Sequence, residues 1–173
     1  ISQLDLGNSF KSLHNQSQLR IRLSNNGLRN LSTDFLVNLY TKNVTSMHIC
    51  GNRFESLHLK LFYQLETLKT LRLRHCRVRH IHISRGHRTL EELDLSHNNI
   101  GYHQPSFCSN SGRTATFPML RKLHLRGNTL HFVHKFSAAH WGCLHQLEYL
   151  DISNNFISVL HTNAFAELRS LTE

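Results

Sequence analysis

The sequence predicts an α/β solenoid, in which short coils of chain stack side by side and each contributes one strand to a curved parallel sheet. Three observations lead to this fold. An eleven-residue pattern, with apolar residues at positions 4, 6 and 11, occurs six times, and position 9 is asparagine in five of the six copies. Successive copies begin 26, 24, 22, 30 and 27 residues apart. Within each copy, positions 4 and 6 flank a polar residue, as on a half-buried strand.

The copies define six full repeats: Gln18–Leu28, Val44–Phe54, Leu68–Val78, Leu90–Ile100, Leu120–Leu130 and Leu147–Ile157. We expect positions 4 and 6, such as Leu93 and Leu95, to stack from coil to coil in one shared core. The position-9 asparagine is expected to turn inward and satisfy backbone groups of the neighbouring coil. Cys76 replaces it in the third copy. The predicted asparagine ladder consists of Asn26, Asn52, Asn98, Asn128 and Asn155.

A second pattern follows each strand and is expected to close the core on the convex side, through irregular or short helical returns. Phe54, Leu57, Phe62, Leu65 and Leu68 fall at steps of 3, 5, 3 and 3, and the same steps recur between Ile157 and Leu171.

Together with the segment Asn-Ala-Phe-Ala-Glu-Leu-Arg-Ser-Leu-Thr-Glu at 163–173, these repeats resemble the extracellular animal class of leucine-rich repeats. That class includes Toll-like receptor ectodomains and insect immune repeat proteins. The resemblance implies a receptor or secreted glycoprotein of innate immunity that binds a protein ligand or co-receptor. It also implies an extracellular location, as a secreted protein or the ectodomain of a membrane protein, with an endosomal location as a variant.

The whole chain, residues 1–173, is expected to be a single repeat domain and a fragment of a longer chain. A degenerate copy opens it at Ile1, and another begins at Leu171, so partial repeats flank the six full ones. The cysteine-rich caps usual in the resembled class are not seen. The fourth repeat carries an insertion at about 102–117, and long loops of this kind are often functional.

Four cysteines lack the CxxC spacing of a structural zinc site. Adjacent coils can bring Cys108, in the insertion, to Cys143 in the next return, which makes this pair the disulfide candidate. Cys50 and Cys76 are expected to be free thiols, the first pointing outward and the second inward. The Asn-x-Ser/Thr sequons, candidates for glycosylation, are at Asn15, Asn30 and Asn43.

The formal charge of +9 arises from 20 Lys+Arg against 11 Asp+Glu. Outward strand positions of a solenoid line its concave face, which is therefore the predicted ligand-binding surface. Along this face, two basic zones flank an acidic step, and such alternation favours a protein of complementary charge. The candidates are Arg20, Arg22, His48, Arg72, Arg74, Glu92, Asp94, Lys122, His124, Arg126, Tyr149 and Asp151.

The alternative is polyanion binding, to a heparan-type glycan or nucleic acid, through the basic segment 69–88; an adhesion or matrix role is a further option. Besides Arg72 and Arg74, this segment contributes Lys69, Arg77, Arg79, Arg85 and Arg88. It contains no aromatic residue for base stacking, and its charges are spread around one coil.

Fifteen histidines raise two further hypotheses. His75, His80, His82 and His87 lie close in sequence, but no obvious carboxylate or cysteine completes a metal site, so we expect no metal. Histidines at outward positions, among them His48, His75, His97 and His124, could sense acidic pH.

No GxSxG, HExxH, P-loop or GxGxxG motif occurs, so we expect neither an enzyme nor a cofactor. No apolar run is long enough to span a membrane. The sequence leaves the ligand and the oligomeric state open.

Overall fold

The computed structural model describes residues 18–101, 106–108, 116–133, 141–160 and 162–173. Six successive coils each contribute one strand to a six-stranded parallel sheet, with strands adjacent in the order of the coils. These strands are β1 (Leu19–Arg22), β2 (Val44–His48), β4 (Thr70–Arg72), β6 (Glu92–Asp94), β7 (Lys122–His124) and β9 (Tyr149–Asp151). The predicted parallel-sheet solenoid is confirmed.

The strand register agrees with the eleven-residue pattern. Leu71 of β4 pairs with Leu93 of β6, which in turn pairs with Leu123 of β7, so position 4 aligns across coils. The position-4 and position-6 side chains of the third to fifth coils are buried. The shared aliphatic core therefore lies directly behind the sheet, as the spacing predicted.

The returning halves contain more strand than the sequence indicated. One short helix, α1 (Thr33–Val37), begins after Ser32, whose Oγ accepts a hydrogen bond from the Phe35 amide at 3.2 Å. A 3-10 helix spans Leu59–Phe62. Two small parallel sheets were not predicted: β3 (Ser56–His58) pairs with β5 (His80–His82), and β8 (Phe132–Val133) pairs with β10 (Val159–Leu160).

The asparagine ladder runs through four of its five predicted members. Asn128 is typical: its Nδ2 donates to the carbonyls of Leu95 and Leu125 at 3.0 and 2.9 Å, and its Oδ1 accepts from the Ile100 amide at 3.0 Å. Asn52, Asn98 and Asn155 make equivalent bonds between coils. Asn26 is exposed, and its Nδ2 donates to the Ser24 carbonyl at 3.2 Å; the coil that would precede it lies outside the described residues.

Position 8, immediately before the ladder residue, adopts a left-handed backbone in every coil. The φ angles are 60° at Asn25, 70° at Gly51, 54° at His75, 55° at His97, 64° at Gly127 and 52° at Asn154. Glycine, asparagine and histidine tolerate this region better than most residues. A Cβ atom on Gly127 would also lie 2.6 Å from Nδ1 of His97. Both the left-handed backbone and the close approach of His97 therefore favour glycine at this position.

The described part of the insertion belongs to the core. Cys108 and Cys143 form a disulfide with a Cα–Cα distance of 5.7 Å, which confirms the candidate pair. The ring of Phe107 lies 5.8 Å from that of Phe117 and 5.6 Å from that of Trp141. The rest of the predicted 102–117 loop lies outside the described residues.

The chain end starts another coil, as predicted. The Thr172 amide donates to the Glu148 carbonyl at 2.9 Å, and the Leu150 amide donates to the Glu173 carbonyl at 2.9 Å. The amides of Glu148 and Tyr149 donate to the Arg121 carbonyl in the same way, where β7 and β9 join the fifth and sixth coils. The degenerate copy beginning at Ile1 lies outside the described residues. Within the described part, no helix is long and apolar enough to cross a membrane.

Candidate functional site: the outward face of the six-stranded sheet

The strand register assembles two ladders of outward side chains, at positions 3 and 5 of the repeat, which we call the sheet face. The position-3 ladder is Arg20, Ser46, Thr70, Glu92, Lys122 and Tyr149. The position-5 ladder is Arg22, His48, Arg72, Asp94, His124 and Asp151. The structure thus brings together the predicted strand candidates in the order that the sequence indicated.

The centre of the sheet face is neutralised by its own ion pairs. Nε of Arg72 donates to Glu92 at 2.9 Å, and Nε of Arg74 donates to the carboxylate of Asp94. The Asp94 side chain is 0% exposed, so the expectation that it is an open contact residue is wrong: Arg74 covers it. Opposite charges on neighbouring strands therefore hold adjacent coils together instead of offering separate zones to a ligand.

The end of the sheet face formed by the first two strands remains basic. Arg20 and Arg22 are exposed and form no ion pair with the described residues. The pKa of His48 lies below its ordinary value, because of partial burial first and then the positive charges of Arg72 and Arg22. His48 therefore stays neutral near pH 7, and its Nε2 lies 3.1 Å from Oγ of Ser46.

The opposite end of the sheet face combines a cation with aromatic surface. The rings of His124 and Tyr149 lie 4.9 Å apart, beside the exposed Lys122. Asp151 is less available, since its Oδ1 accepts bonds from the amide and hydroxyl of Ser153, at 3.0 and 2.6 Å. Burial tends to raise the Asp151 pKa, but these bonds and the nearby cations outweigh it, so its pKa is lowered.

A close group of potential metal ligands forms where strands β6 and β7 meet. Ligand atoms of Glu92, Asp94 and His124 all lie within 4.8 Å of one another. Sequence reasoning missed this group, although positions 3 and 5 of adjacent strands were the signal. Both carboxylates are already paired with Arg72 and Arg74, so a cation would have to displace two guanidinium groups. We assign no metal site here.

The basic residues of segment 69–88 lie on different parts of the solenoid. Lys69 pairs with Glu91 at 2.9 Å beside the sheet. Arg85 lies over the Tyr63 ring, 5.2 Å from its centroid, and Arg88 is exposed elsewhere. Arg77 and Arg79 instead line a cavity on the flank of the solenoid.

The histidines form pairs across coils instead of a metal cluster. His58 stacks on His82 at 4.3 Å, and His75 stacks on His97 at 4.5 Å, measured between ring centroids. His87 is buried, with Nε2 3.0 Å from the Leu65 carbonyl. Among the residues the structure describes, these histidines do not meet in a group of three potential ligands.

The cysteine and sequon predictions can be placed individually. Cys76 is buried and Cys50 half-buried, both as free thiols, as expected. Asn30 is exposed and Asn43 is half-buried, while Asn15 lies outside the described residues.

The family assignment agrees with the fold. The model of the family described as "Leucine rich repeat" matches residues 42–100 and 118–173, so the chain belongs to the leucine-rich-repeat family. It is also 37% identical over 81 residues to Toll-like receptor 7 of Mus musculus. That match covers 47% of this chain but 7% of the receptor, so the chain spans a small part of that relative's length.

Two solved structures match the chain at low identity. Human 5T4, also named Wnt-activated inhibitory factor 1 or trophoblast glycoprotein, is 19% identical with a TM-score of 0.47. That match covers 88% of this chain and 73% of that one. A chain of the mouse RP105/MD-1 complex is 16% identical with a TM-score of 0.36, covering 84% of this chain and 31% of that one.

Proposed function

We propose that the chain is the extracellular recognition module of an innate immune receptor or secreted protein, and that it binds a protein ligand or co-receptor through the sheet face. The observation that carries this proposal is the arrangement of the six strands into one continuous outward surface. The charges at its centre pair with one another, while Arg20, Arg22 and Lys122 at its two ends form no ion pair with the described residues. Complementary charge at such positions sets specificity and association rate.

The composition of the exposed ends supports a protein partner. Tyrosine and arginine are over-represented among residues that dominate protein–protein binding. Tyr149 and His124 present aromatic surface beside Lys122, and Arg20 and Arg22 present guanidinium groups at the other end. The likeness to a Toll-like receptor supports the receptor class and the extracellular setting.

Affinity capture with matched variants tests this proposal. The protein is immobilised and exposed to extracellular fluid of the source tissue, and captured proteins are quantified by mass spectrometry. The face variant is Lys122→Ser/Tyr149→Ala. Its control is Lys60→Ser/Tyr63→Ala, which makes the same two changes on the returning half of the second coil.

We expect a defined protein that the native chain and the control variant retain equally, and that the face variant loses by about tenfold or more, a change of about 1.4 kcal/mol. Equal capture of the same proteins by all three chains would contradict recognition through the sheet face.

A further inference from the structure

We propose that an arginine-lined cavity on the flank of the first four described coils binds sulfate groups of a sulfated glycan. This site goes beyond the proposed protein recognition, because none of its residues belongs to the sheet face. The cavity has a volume of about 660 Å³. It is lined by Arg29, Arg53, Arg77, Arg79, Asn99 and Ser56, with Glu55 as its single acidic residue.

The repeat itself builds this cavity, which we call the arginine cavity. Arg53, Arg77 and Asn99 occupy position 10 in three successive coils, and Arg29 and Arg79 stand two residues further on. The Arg53 amide donates to the Leu28 carbonyl at 2.7 Å, and the Asn99 amide to the Val78 carbonyl at 2.8 Å. These bonds keep the coils in the register that brings the arginines together.

None of the four arginines of the arginine cavity forms an ion pair with a described residue, and Glu55 is the single carboxylate beside them. Ion pairs in the described part of the chain join Lys69 to Glu91, Arg72 to Glu92, Arg74 to Asp94 and Arg121 to Glu148. None of them uses an arginine of the cavity. Arg72 and Arg74 therefore have partners within the fold, whereas the four cavity arginines outnumber the one carboxylate that lines their cavity, and this excess of positive charge favours an anion there.

The backbone of Arg77 supports a role for its side chain. Its φ is 61°, in the left-handed region, and the equivalent position in the first coil holds Gly27 at 70°. A non-glycine residue is strained in this conformation, because its Cβ approaches the following carbonyl oxygen. The chain thus places a long cationic side chain where glycine would fit more easily, and such strain is typical of functional positions.

The chemistry of the lining favours a sulfated sugar over a nucleic acid. A guanidinium group offers two parallel N–H donors that match the oxygens of sulfate or phosphate. Binding of single-stranded nucleic acid also relies on aromatic side chains for base stacking, and no aromatic residue lines this cavity. The Ser56 hydroxyl, the Asn99 amide and the Glu55 carboxylate instead suit the hydroxyl groups of a sugar.

Isothermal titration with a heparin hexasaccharide tests the site, using a completely desulfated hexasaccharide and a single-stranded oligonucleotide as comparison probes, at ionic strength of about 0.15 M. The cavity variant is Arg53→Ser/Arg79→Ser. Its control, Arg20→Ser/Arg22→Ser, removes the same charge from the sheet face. A third variant, Arg77→Gly, removes the side chain at a position where the backbone favours glycine, so its melting temperature should stay at or above that of the native protein.

We expect the sulfated hexasaccharide to bind most tightly. The cavity variant and Arg77→Gly should each weaken it by about tenfold or more, and the control by less than about threefold. Equal weakening by the cavity variant and the control would overturn the proposal in favour of general charge attraction. Tighter binding of the oligonucleotide, or undiminished binding of the desulfated sugar, would overturn the assignment of the ligand.

Discussion

The Nε atom of Arg74 donates a hydrogen bond to Oδ2 of Asp94, whose side chain is fully buried. The same carboxylate accepts the Ser96 amide at 3.0 Å through its other oxygen. Arg74 lies in the third coil and Asp94 in the fourth, so this contact joins neighbouring coils on the outward side of the sheet. The charged centre of the sheet face therefore contributes to the stability of the solenoid.

Loss of Arg74 should destabilise the protein more than loss of Arg126, which occupies the same repeat position two coils away. Arg74→Ala leaves a buried carboxylate with one fewer donor, which costs about 1–3 kcal/mol. Arg126 is exposed and contacts Ser153 at 3.3 Å, so Arg126→Ala should cost less than about 0.5 kcal/mol. Urea unfolding of both variants measures the difference, and equal losses would contradict a structural role for the Arg74–Asp94 pair.

The asparagine ladder should be sensitive to truncation of a single member. Asn128→Ala removes two donors and one acceptor that bridge buried backbone groups of adjacent coils, and should lower the free energy of unfolding by about 2–4 kcal/mol. Asn99→Ala, at an exposed position beside the ladder, is the control and should change it by less than about 0.5 kcal/mol. Comparable denaturation midpoints for the two variants would show that the ladder does not stabilise the fold.

Buried His87 should make the protein less stable in mild acid. Burial lowers its pKa, although hydrogen bonding to the Leu65 and Phe62 carbonyls opposes this. The Thr89 amide donates to Nδ1 at 3.4 Å, which assigns the neutral form with its proton on Nε2. The unfolded chain binds this proton near pH 6.5, whereas the folded chain resists it until lower pH. The part of the free energy of unfolding that depends on neutral His87 is therefore fully present above about pH 6.5 and decreases as the pH falls below that value.

Uptake of this one proton can change the free energy of unfolding by at most about 1.4 kcal/mol per pH unit. His87→Gln should reduce the loss of unfolding free energy between about pH 7 and pH 5, measured by urea denaturation at each pH. The difference between native and variant slopes isolates His87 from the other fourteen histidines. Parallel curves would exclude His87 as the source of acid sensitivity.

The two free thiols should react at very different rates. Burial raises the pKa of Cys76 to about 11, so little thiolate is present at pH 8, and its Sγ lies 3.2 Å from the Ile49 carbonyl. Cys50 is only partly buried. Iodoacetamide should modify Cys50 in the native protein and reach Cys76 only after unfolding, as peptide mass spectrometry can show. Native modification of Cys76 at the rate of Cys50 would contradict the buried position.

Much of the fold was predictable because the period of the pattern fixes which side chains share a face. Positions 3 and 5 stand two residues apart on a strand, so their ladders follow once the six copies are aligned. The burial of Asp94 was not predictable, since it depends on the course of the Arg74 side chain from the preceding coil. The two small sheets were also missed, because segments such as Ser56–His58 are too short to show alternation.

The arginine cavity could not be predicted for a related reason. Arg29, Arg53 and Arg77 are far apart in sequence and lie just after the strands, where no simple side-chain period holds. Their convergence depends on the turn conformation, including the left-handed φ of Arg77. The sequence therefore indicated a basic segment but not which of its charges would be neutralised within the sheet and which would remain unpaired.

Site-specific photo-crosslinking tests the central claim, recognition of a protein through the sheet face, most directly. A photo-reactive amino acid replaces Lys122 on the sheet face in one sample and Lys60 on the returning half in another, and both are irradiated in the native extracellular fluid. We predict a discrete crosslinked protein from position 122 and none from position 60. A crosslink formed from position 60 alone would contradict the sheet face as the recognition surface.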